Sequence, residues 1–297
     1  MKRLGILGAG LFGLFVMVYL FVNAKEFNDK RTSDAYQIKA IKIPDYLSFA
    51  DERVPLEKED VKERVDREFL VNTYWQSNAL LLIKRSNKYF PVIEPILKEY
   101  GIPEDFKYLA VIESGLQNVS SPAGAKGFWQ IMKGTARDHK LEVNANVDER
   151  YNLELSTRAA CEYLLKQKER FGSWTLAAAS YNVGPNGLHR RMKQQQVEDY
   201  YNLLLPDETQ RYLPRIVAVK AILESPETYG FIYDQEDLYE LPEFNKIEVD
   251  TAIVNLAQFS KDLNINYKEL KLYNPWLREN KLNNASRKQY EILIPSP

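Results

Sequence analysis

Glu113 is the first residue whose type and position could support catalysis. It lies near the C-terminal end of a predicted helix, PEDFKYLAVIES, whose inner face carries Phe106, Leu109, Ala110 and Ile112. Apolar neighbours and the negative end of the helix dipole both disfavour a charged carboxylate, so both raise its pKa. A raised pKa suits a general acid that works near neutral pH.

Three downstream segments place polar side chains beside large aromatic residues or glycine-rich turns. Amides can pair with sugar hydroxyls and aromatic faces can cover sugar rings, so the pattern is typical of a sugar-binding cleft. The candidates are Gln130 in SSPAGAKGFWQIM, Tyr181 and Asn182 in AAASYNVGPNG, and Glu208 and Tyr212 in ETQRYLPR. Each segment taken alone fits a structural role equally well.

Composition excludes several classes of protein. The 40 basic and 41 acidic side chains give a net charge of -1, so the global basic footprint of a nucleic-acid-binding protein is missing. One cysteine cannot form an internal disulfide, and two histidines with one cysteine argue against a structural zinc site. We therefore expect no metal, no cofactor and no nucleic acid.

The candidate site residues lie in a region that the sequence predicts to be mainly helical. Apolar residues recur at three- to five-residue intervals from Leu56 onwards, and strand-like alternation is scarce before the C-terminus. The sequence predicts a signal peptide or membrane anchor at 1–24, a linker at 25–55, a helical catalytic domain at 56–228 with its motifs within 88–228, an acidic linker at 229–244 and a small β-α-α-β module at 245–297.

The N-terminal segment predicts export. Lys2 and Arg3 precede an uncharged apolar run, residues 4–22, that is about long enough to span a bilayer. Val22-Asn23-Ala24 resembles a cleavage site, so a retained anchor and a removed signal peptide remain alternatives. Both predict a location in the cell envelope, either periplasmic, anchored at the inner membrane, or secreted across it.

The ordered motifs together resemble a known family. They are Glu113-Ser114-Gly115, the GAKGFWQ segment at 124–130, the SYNVG segment at 180–184, and Glu208-Thr209 followed by Tyr212. This order resembles the lytic murein transglycosylases of the soluble-transglycosylase superfamily, with the closest likeness to the membrane-bound lytic murein transglycosylase D group.

The C-terminal module resembles a degenerate LysM domain, a unit that binds peptidoglycan. The segment YEILIP at 290–295 matches the second half of that module, whereas the usual Gly-Asp-Thr turn after its first strand is reduced to Val249-Asp250-Thr251. Retained glycan binding and a purely structural capping role are both open.

The resemblance implies a lysozyme-like, mainly α domain that acts on peptidoglycan glycan strands. Such an enzyme cleaves the β-1,4 bond between N-acetylmuramic acid and N-acetylglucosamine. By resemblance, Glu113 would protonate the leaving oxygen and then accept the proton of the muramic C6 hydroxyl, leaving a 1,6-anhydro end. Because the attack is intramolecular, a second carboxylate to activate water is not required.

The resemblance also assigns roles to the remaining candidates. Ser114 would orient the site, Gln130 would bind an acetamido or hydroxyl group, Tyr181 would position Glu113 or the substrate with support from Asn182, and Glu208 and Tyr212 would complete the wall of the cleft. Two alternatives remain: a hydrolase of goose-type lysozyme character, and a non-catalytic peptidoglycan-binding protein that kept the fold.

Overall fold

The computed structural model describes Tyr19 and residues 38–296. Apart from Tyr19, the predicted anchor or signal segment at 4–22 lies outside the described residues. Within the described part of the chain, no helix is both long enough and apolar enough to cross a bilayer. The chain divides into two compact units, Met1–Ala40 and Ile41–Pro297, and the second carries every feature below.

The unit that starts at Ile41 is mainly helical, as the sequence predicted. Its α-helices are α1 Glu59–Tyr74, α2 Gln76–Glu99, α3 Lys107–Ser114, α4 Lys133–Asp138, α5 Leu153–Phe171, α6 Trp174–Val183, α7 Pro185–Gln195, α8 Asp207–Gln210, α9 Tyr212–Glu224, α10 Leu256–Asp262 and α11 Tyr267–Tyr273. Its strands form two antiparallel pairs, β1 Ser48–Phe49 with β2 Glu52–Arg53 and β3 Phe244–Val249 with β4 Tyr290–Pro295.

Local signals fix the ends of the helices that carry the site. Helix α5 begins after Asn152, whose side chain accepts a hydrogen bond from the Leu155 amide, and α6 begins after Ser173, which caps the Leu176 amide in the same way. Helix α3 ends at Gly115, where the backbone turns left-handed with φ 61°. The prediction that the segment PEDFKYLAVIES ends its helix before Gly115 is confirmed.

The main hydrophobic core lies beneath helix α3. Phe106, Leu109 and Ala110 are fully buried, and Ile112 packs against the same cluster while partly exposed. The predicted inner face of this helix therefore does face the core. Burial of this face fixes the position of α3, and therefore of Glu113, relative to the main core.

Helix α2 is longer than the sequence indicated. The sequence predicts a short helix over 89–100 that contains Pro91 and Pro95 and ends at Gly101. Both prolines do lie inside α2, but the helix starts earlier, at Gln76. Each removes one backbone donor, but the buried side chains of Ile93 and Leu97 hold both sides of the interruption against the core.

Part of the predicted linker belongs to the folded core. The described portion of residues 25–55 contains the β1–β2 hairpin, and Leu47, Phe49 and Val54 are buried with the main cluster. Glu52 in this hairpin accepts hydrogen bonds from the Trp174 and Thr175 amides at the start of α6. Short segments with few apolar residues resemble linkers in sequence because their burial depends on distant contacts.

The C-terminal module has the predicted β-α-α-β order. Strands β3 and β4 pair with Val249 opposite Tyr290, and β4 covers the YEILIP segment. Asn255 and Asn266 cap the two short helices through their side chains. The buried apolar residues of the module belong to a hydrophobic cluster that is separate from the main core.

Candidate active site

The geometry of the site starts from a contact between Glu113 and Tyr212. Glu113 lies in the last turn of α3, and Tyr212 is the first residue of α9. The Tyr212 hydroxyl donates a hydrogen bond to Oε1 of Glu113. Tyr212 is almost fully buried, whereas Glu113 remains partly accessible. Two predicted site residues separated by 99 positions in the chain are thus in direct contact.

The surroundings of Glu113 raise its pKa from 4.5 to about 7. Burial is the largest cause, and the negative charge of Glu208 acts in the same direction. The hydrogen bond from Tyr212 and the positive charge of Arg215 act against burial and lower the pKa. Because burial prevails, Glu113 titrates close to neutral pH, as a general acid requires.

Tyr212 remains protonated near neutral pH and therefore acts as a hydrogen-bond donor. Burial raises its pKa well above the ordinary tyrosine value, and the charge of Glu113 raises it further. The phenol therefore keeps its proton and contacts Oε1, which leaves the second oxygen of Glu113 to carry and deliver a proton.

Ser114 lies next to Glu113 in the chain but its hydroxyl serves the helix end. Its Oγ donates to the Ala110 carbonyl at 3.1 Å and accepts from the Gln117 amide at 3.4 Å. These bonds and the left-handed Gly115 close the last turn of α3. These contacts of Ser114 thus support the helix that holds Glu113.

Gln130 belongs to the loop between α3 and α4, residues 118–131, which we call the Gln130 loop. Its Nε2 donates to the carbonyls of Gly127 at 2.8 Å and Val119 at 3.1 Å, and its backbone is left-handed with φ 46°. Such a backbone is costly for a non-glycine residue and persists where surrounding contacts enforce it. The amide of Gln130 therefore shapes the loop as well as facing a cavity.

That cavity lies between the Gln130 loop and helices α4, α5 and α6. Its volume is about 70 Å³. The residues that line it include Gln130, Met132, Thr135, His139, Tyr163 and Tyr181. Its lining combines apolar, amide and phenol groups.

Tyr181 lines this cavity and is also close enough to Glu113 to feel its charge. Its hydroxyl donates to the Trp129 carbonyl at 2.6 Å, and its ring packs edge-on against Tyr163 at 5.2 Å between centroids. Burial first, and then the nearby charge of Glu113, raise the pKa of Tyr181 well above its usual value. Tyr181 thus lies within the field of Glu113, although it donates to a different acceptor.

Asn182 and Glu208 occupy different positions around the site. Oδ1 of Asn182 accepts a hydrogen bond from Thr209 Oγ1 at 2.7 Å, which ties α6 to α8. Glu208 is exposed at the start of α8, and its negative charge raises the pKa of Glu113. The structure brings Glu113, Tyr212 and Tyr181 together, while Ser114, Gln130 and Asn182 hold the elements around them.

Two residues of this arrangement were missed at the level of sequence. Thr209 is buried and joins Asn182, and Arg215 adds a positive field at Glu113. Arg215 follows Tyr212 by three positions, which is the spacing of neighbours on one helix face. That spacing could have identified Arg215, and Thr209 belongs to the Glu208-Thr209 motif, which could have pointed to it.

The Gln130 loop rests on a hairpin of the catalytic part, residues 142–149, which we call the docking hairpin. Directly after it, Arg150 pairs with Asp148 and donates to the carbonyls of Gly124 at 3.0 Å and Ile131 at 3.2 Å. Gly127 has φ 80°, and a Cβ there would lie 1.9 Å from the Arg150 carbonyl oxygen. The loop therefore approaches Arg150 as closely as glycine permits.

The other side of the docking hairpin contacts the C-terminal module. Asn146 donates to the Lys281 carbonyl at 2.8 Å and accepts from the Asn283 amide at 2.8 Å. Val147 and Tyr151 are part of the hydrophobic cluster of the module. The module is thus packed on the hairpin that supports the Gln130 loop.

These features define a class of protein: a mainly helical domain built around a buried carboxyl group whose pKa is raised to about 7. Residues 91–204 match the family model described as Transglycosylase SLT domain. Residues 245–297 match the model described as Soluble lytic transglycosylase C-terminal LysM-like domain. The chain carries a transglycosylase SLT domain followed by a LysM-like C-terminal domain.

The chain is homologous to the membrane-bound lytic murein transglycosylase D of Escherichia coli. The two are 28% identical over 217 residues, which cover 71% of this chain and 47% of that relative. A putative tributyltin chloride resistance protein of Alteromonas sp. is 27% identical over 118 residues, covering 39% of this chain and 55% of that protein. The chain thus spans about half the length of these relatives.

A solved structure with a detected likeness is the lytic transglycosylase Slt of Pseudomonas aeruginosa, in an inactive variant. It is 20% identical, covers 50% of this chain and 26% of its own, and has a TM-score of 0.37.

Proposed function

We propose that this protein is a peptidoglycan lytic transglycosylase. It would cleave the β-1,4 bond between N-acetylmuramic acid and N-acetylglucosamine and leave 1,6-anhydromuramic ends. The observation that carries the proposal is the Glu113–Tyr212 pair, in which burial raises the pKa of the carboxyl to about 7. The SLT-domain match over 91–204, which includes Glu113, supports the same reaction.

In the first step, protonated Glu113 donates its proton to the leaving glycosidic oxygen. Tyr212 occupies Oε1, so the proton is carried on the other oxygen. Near pH 7 about half of the molecules hold that proton, since the pKa of Glu113 is about 7. The C1–O bond breaks and the sugar acquires oxocarbenium character.

In the second step, the ionised Glu113 accepts the proton of the muramic C6 hydroxyl as its oxygen bonds to C1. The attacking group belongs to the same sugar, so its effective concentration is high and no water enters the product. The hydrogen bond from Tyr212 stabilises the carboxylate between the steps. Glu113 ends the cycle protonated, so one residue serves as acid and then as base.

The cavity beside Tyr181 supports a role for the neighbouring residues in binding the glycan. Gln130 and Tyr181 line it, and both are held by bonds to main-chain carbonyls. Groups fixed in this way lose little conformational freedom when a sugar binds. We infer that Gln130 and Tyr181 contact the substrate, whereas Ser114, Asn182 and Glu208 act on the shape and charge of the cleft.

A hydrolase of lysozyme character is the alternative for the same site. It would require a carboxylate that activates water on the opposite face of the sugar. Glu208 is the carboxylate whose charge acts on Glu113, but it is exposed at the start of α8. An exposed carboxylate of this kind suits an electrostatic effect on Glu113 better than the activation of an ordered water.

The dependence on Glu113 is tested by release of soluble muropeptides from purified peptidoglycan. The full chain is compared with Glu113→Gln, and Glu224→Gln serves as a matched control because Glu224 contacts Tyr108 rather than the site. We expect release to fall by about 10³-fold or more in Glu113→Gln and to persist in the control. Equal release by the wild type and Glu113→Gln would refute the proposal.

The proposed substrate implies work in the cell envelope, where peptidoglycan lies. Contact with a membrane through residues 4–22 belongs to the same proposal. Recovery of the full chain in the envelope fraction of fractionated cells supports it, and recovery with the cytoplasmic fraction contradicts it.

We further infer that the LysM-like module braces the active site. The module contacts the docking hairpin through Asn146, and Arg150 directly after the hairpin holds the Gln130 loop. The loop of the module that makes these contacts, residues 276–283, is thereby occupied by the catalytic part. A brace accounts for these contacts without requiring that the module bind glycan.

Asn146→Ala tests the brace, and Lys268→Ala serves as the control because Lys268 is exposed in helix α11 of the module. Loss of the Asn146 bonds is expected to increase amide hydrogen exchange in the Gln130 loop and to reduce glycan cleavage together. Unchanged exchange in that loop would contradict the brace. Loss of peptidoglycan binding with unchanged exchange would favour glycan binding by the module instead.

A further inference from the structure

A buried carboxylate outside the segment matched by the SLT model contacts two arginines that flank Tyr212 in the chain. Glu68 is in α1 and is only 1% exposed. Its Oε1 accepts from Arg211 Nε at 2.7 Å and from Arg67 Nη1 at 2.6 Å. Its Oε2 accepts from Arg215 Nε at 3.4 Å. A buried charge of this kind is costly unless it is paired, so these contacts determine where the arginines lie.

Two of these arginines enclose the first turn of α9. Arg211 precedes the helix and Arg215 lies one turn later, with Tyr212 between them. The helix start has no hydrogen bond from a capping side chain. The two Nε contacts to Glu68 therefore anchor this turn to helix α1 through side chains.

The position of this turn decides where the Tyr212 hydroxyl lies. Tyr212 is the first residue of α9, and its hydrogen bond to Glu113 depends on the placement of that residue within a few tenths of an ångström. A shift or rotation of the turn would lengthen the bond while leaving the rest of α9 packed in the core.

We propose that Glu68 is a positioning residue for the Glu113–Tyr212 pair. It fixes the first turn of α9 through Arg211 and Arg215, and this turn seats the Tyr212 hydroxyl on the carboxyl group. Glu68 itself does not touch the substrate. The inference rests on the proposed function, because its readout is glycan cleavage.

The test measures kcat and KM of the full chain on soluble, uncross-linked glycan strands. In Glu68→Gln we expect kcat to fall about tenfold, as for the loss of one well-placed hydrogen bond, and KM to stay unchanged. A general loss of folded protein is separated by circular dichroism and by normalising the rate to the folded fraction. An unchanged kcat on the folded fraction would overturn the inference.

A double-mutant cycle shows whether Glu68 acts through Tyr212. In the Tyr212→Phe background the hydroxyl is already absent, so Glu68→Gln should lower kcat by less than about twofold further. A full tenfold loss in that background would mean that Glu68 acts independently of Tyr212, and the inference would be wrong.

A matched control exists at the other end of the same helix. Asp105 pairs with Lys220 of α9 at 2.7 Å, so Asp105→Asn also removes an ion pair that ties α9 to the core. Because this pair is distant from the first turn, kcat should stay within about twofold of the wild type. A tenfold fall would show that any loosening of α9 has the same effect, which contradicts a specific role of Glu68.

A second variant keeps the test open if Glu68→Gln does not fold. Arg211→Lys retains the positive charge but lacks the Nε donor and the rigid guanidinium, so it disturbs the hydrogen-bond geometry at Glu68 and not the charge balance. Its kcat should fall in the wild type and change little in Tyr212→Phe; equal losses in both backgrounds would overturn the inference. An inactive wild type would instead refute the proposed function, whereas an active wild type with normal Glu68→Gln and Arg211→Lys variants would refute the positioning role alone.

Discussion

Substitution of Tyr212 by phenylalanine isolates one hydrogen bond at the site. The phenyl ring fills the same buried space, so the change removes the hydroxyl that donates to Glu113. A hydrogen bond to a charged group contributes about 1.5–3 kcal/mol. Since one pKa unit corresponds to about 1.4 kcal/mol, its loss should raise the pKa of Glu113 by about 1–2 units.

The sign of the effect on activity follows from the first step. Glu113 must be protonated to act as the acid, so the rate falls as the pH rises through its pKa, about 7 in the wild type. In Tyr212→Phe the descending limb of the kcat/KM profile should move to higher pH by about 1–2 units, because the carboxylate is less stabilised. The maximum rate should fall about tenfold, because the carboxyl group is less well placed.

The assay is glycan cleavage on soluble strands between pH 5 and 10, a range of about two to three units on each side of the pKa. Tyr181→Phe is the matched control, because its hydroxyl donates to the Trp129 carbonyl rather than to Glu113. The control should change the rate without moving the limb. A Tyr212→Phe limb at the wild-type position, or at lower pH, would refute the reasoning.

Three further variants test the electrostatics and packing. Glu113→Gln should raise the melting temperature at pH 8, because the folded protein then no longer carries a carboxylate whose pKa is raised from 4.5 to about 7, and the gain should vanish below pH 4.5. Gly127→Ala should destabilise the fold and abolish cleavage, since the added Cβ meets the Arg150 carbonyl oxygen at 1.9 Å, whereas Gly134→Ala should have little effect because nothing lies within 4 Å. Lys288 of the module pairs with Glu142 and Glu149 of the docking hairpin. Lys288→Met leaves both carboxylates without this cation, so it should lower the free energy of unfolding by about 1–3 kcal/mol at pH 7.

Each of these variants has an outcome that contradicts the account. For Glu113→Gln it is a stability difference that does not depend on pH in thermal melts. For Gly127→Ala it is wild-type activity with an unchanged melting temperature. For Lys288→Met it is an equal loss in urea denaturation at pH 7 and at low pH. The pKa of Glu142 is lowered because hydrogen bonds from Tyr290 and Lys288 outweigh its burial, so this stabilisation is present above pH 4.5 and is lost as the pH falls through the lowered pKa.

Sequence predicted the parts of the structure that local patterns determine. The YEILIP strand follows from its β-prone residues, and the end of α3 follows from Gly115. The contact between Glu113 and Tyr212 could be anticipated only as membership of one site, because the chain between them folds through several helices. Distances and hydrogen-bond partners depend on that packing and have no local signal.

The missed features share this dependence on distant contacts. The β1–β2 hairpin has few apolar residues. Phe49 becomes core because its ring packs against Phe106, which precedes α3 and in turn packs against Trp174 at the start of α6. Glu68 is indistinguishable in sequence from the solvated glutamates of α1. Its burial becomes visible only when α9 places two arginines against it.

The most direct test of the central claim is the origin of the oxygen at the new glycan end. Peptidoglycan is digested by the full chain in water enriched in heavy oxygen, and the muropeptides are analysed by mass spectrometry. The account predicts products one water lighter than hydrolysis products, without heavy oxygen, and their loss in Glu113→Gln. Reducing ends that carry heavy oxygen would contradict it and identify the enzyme as a hydrolase.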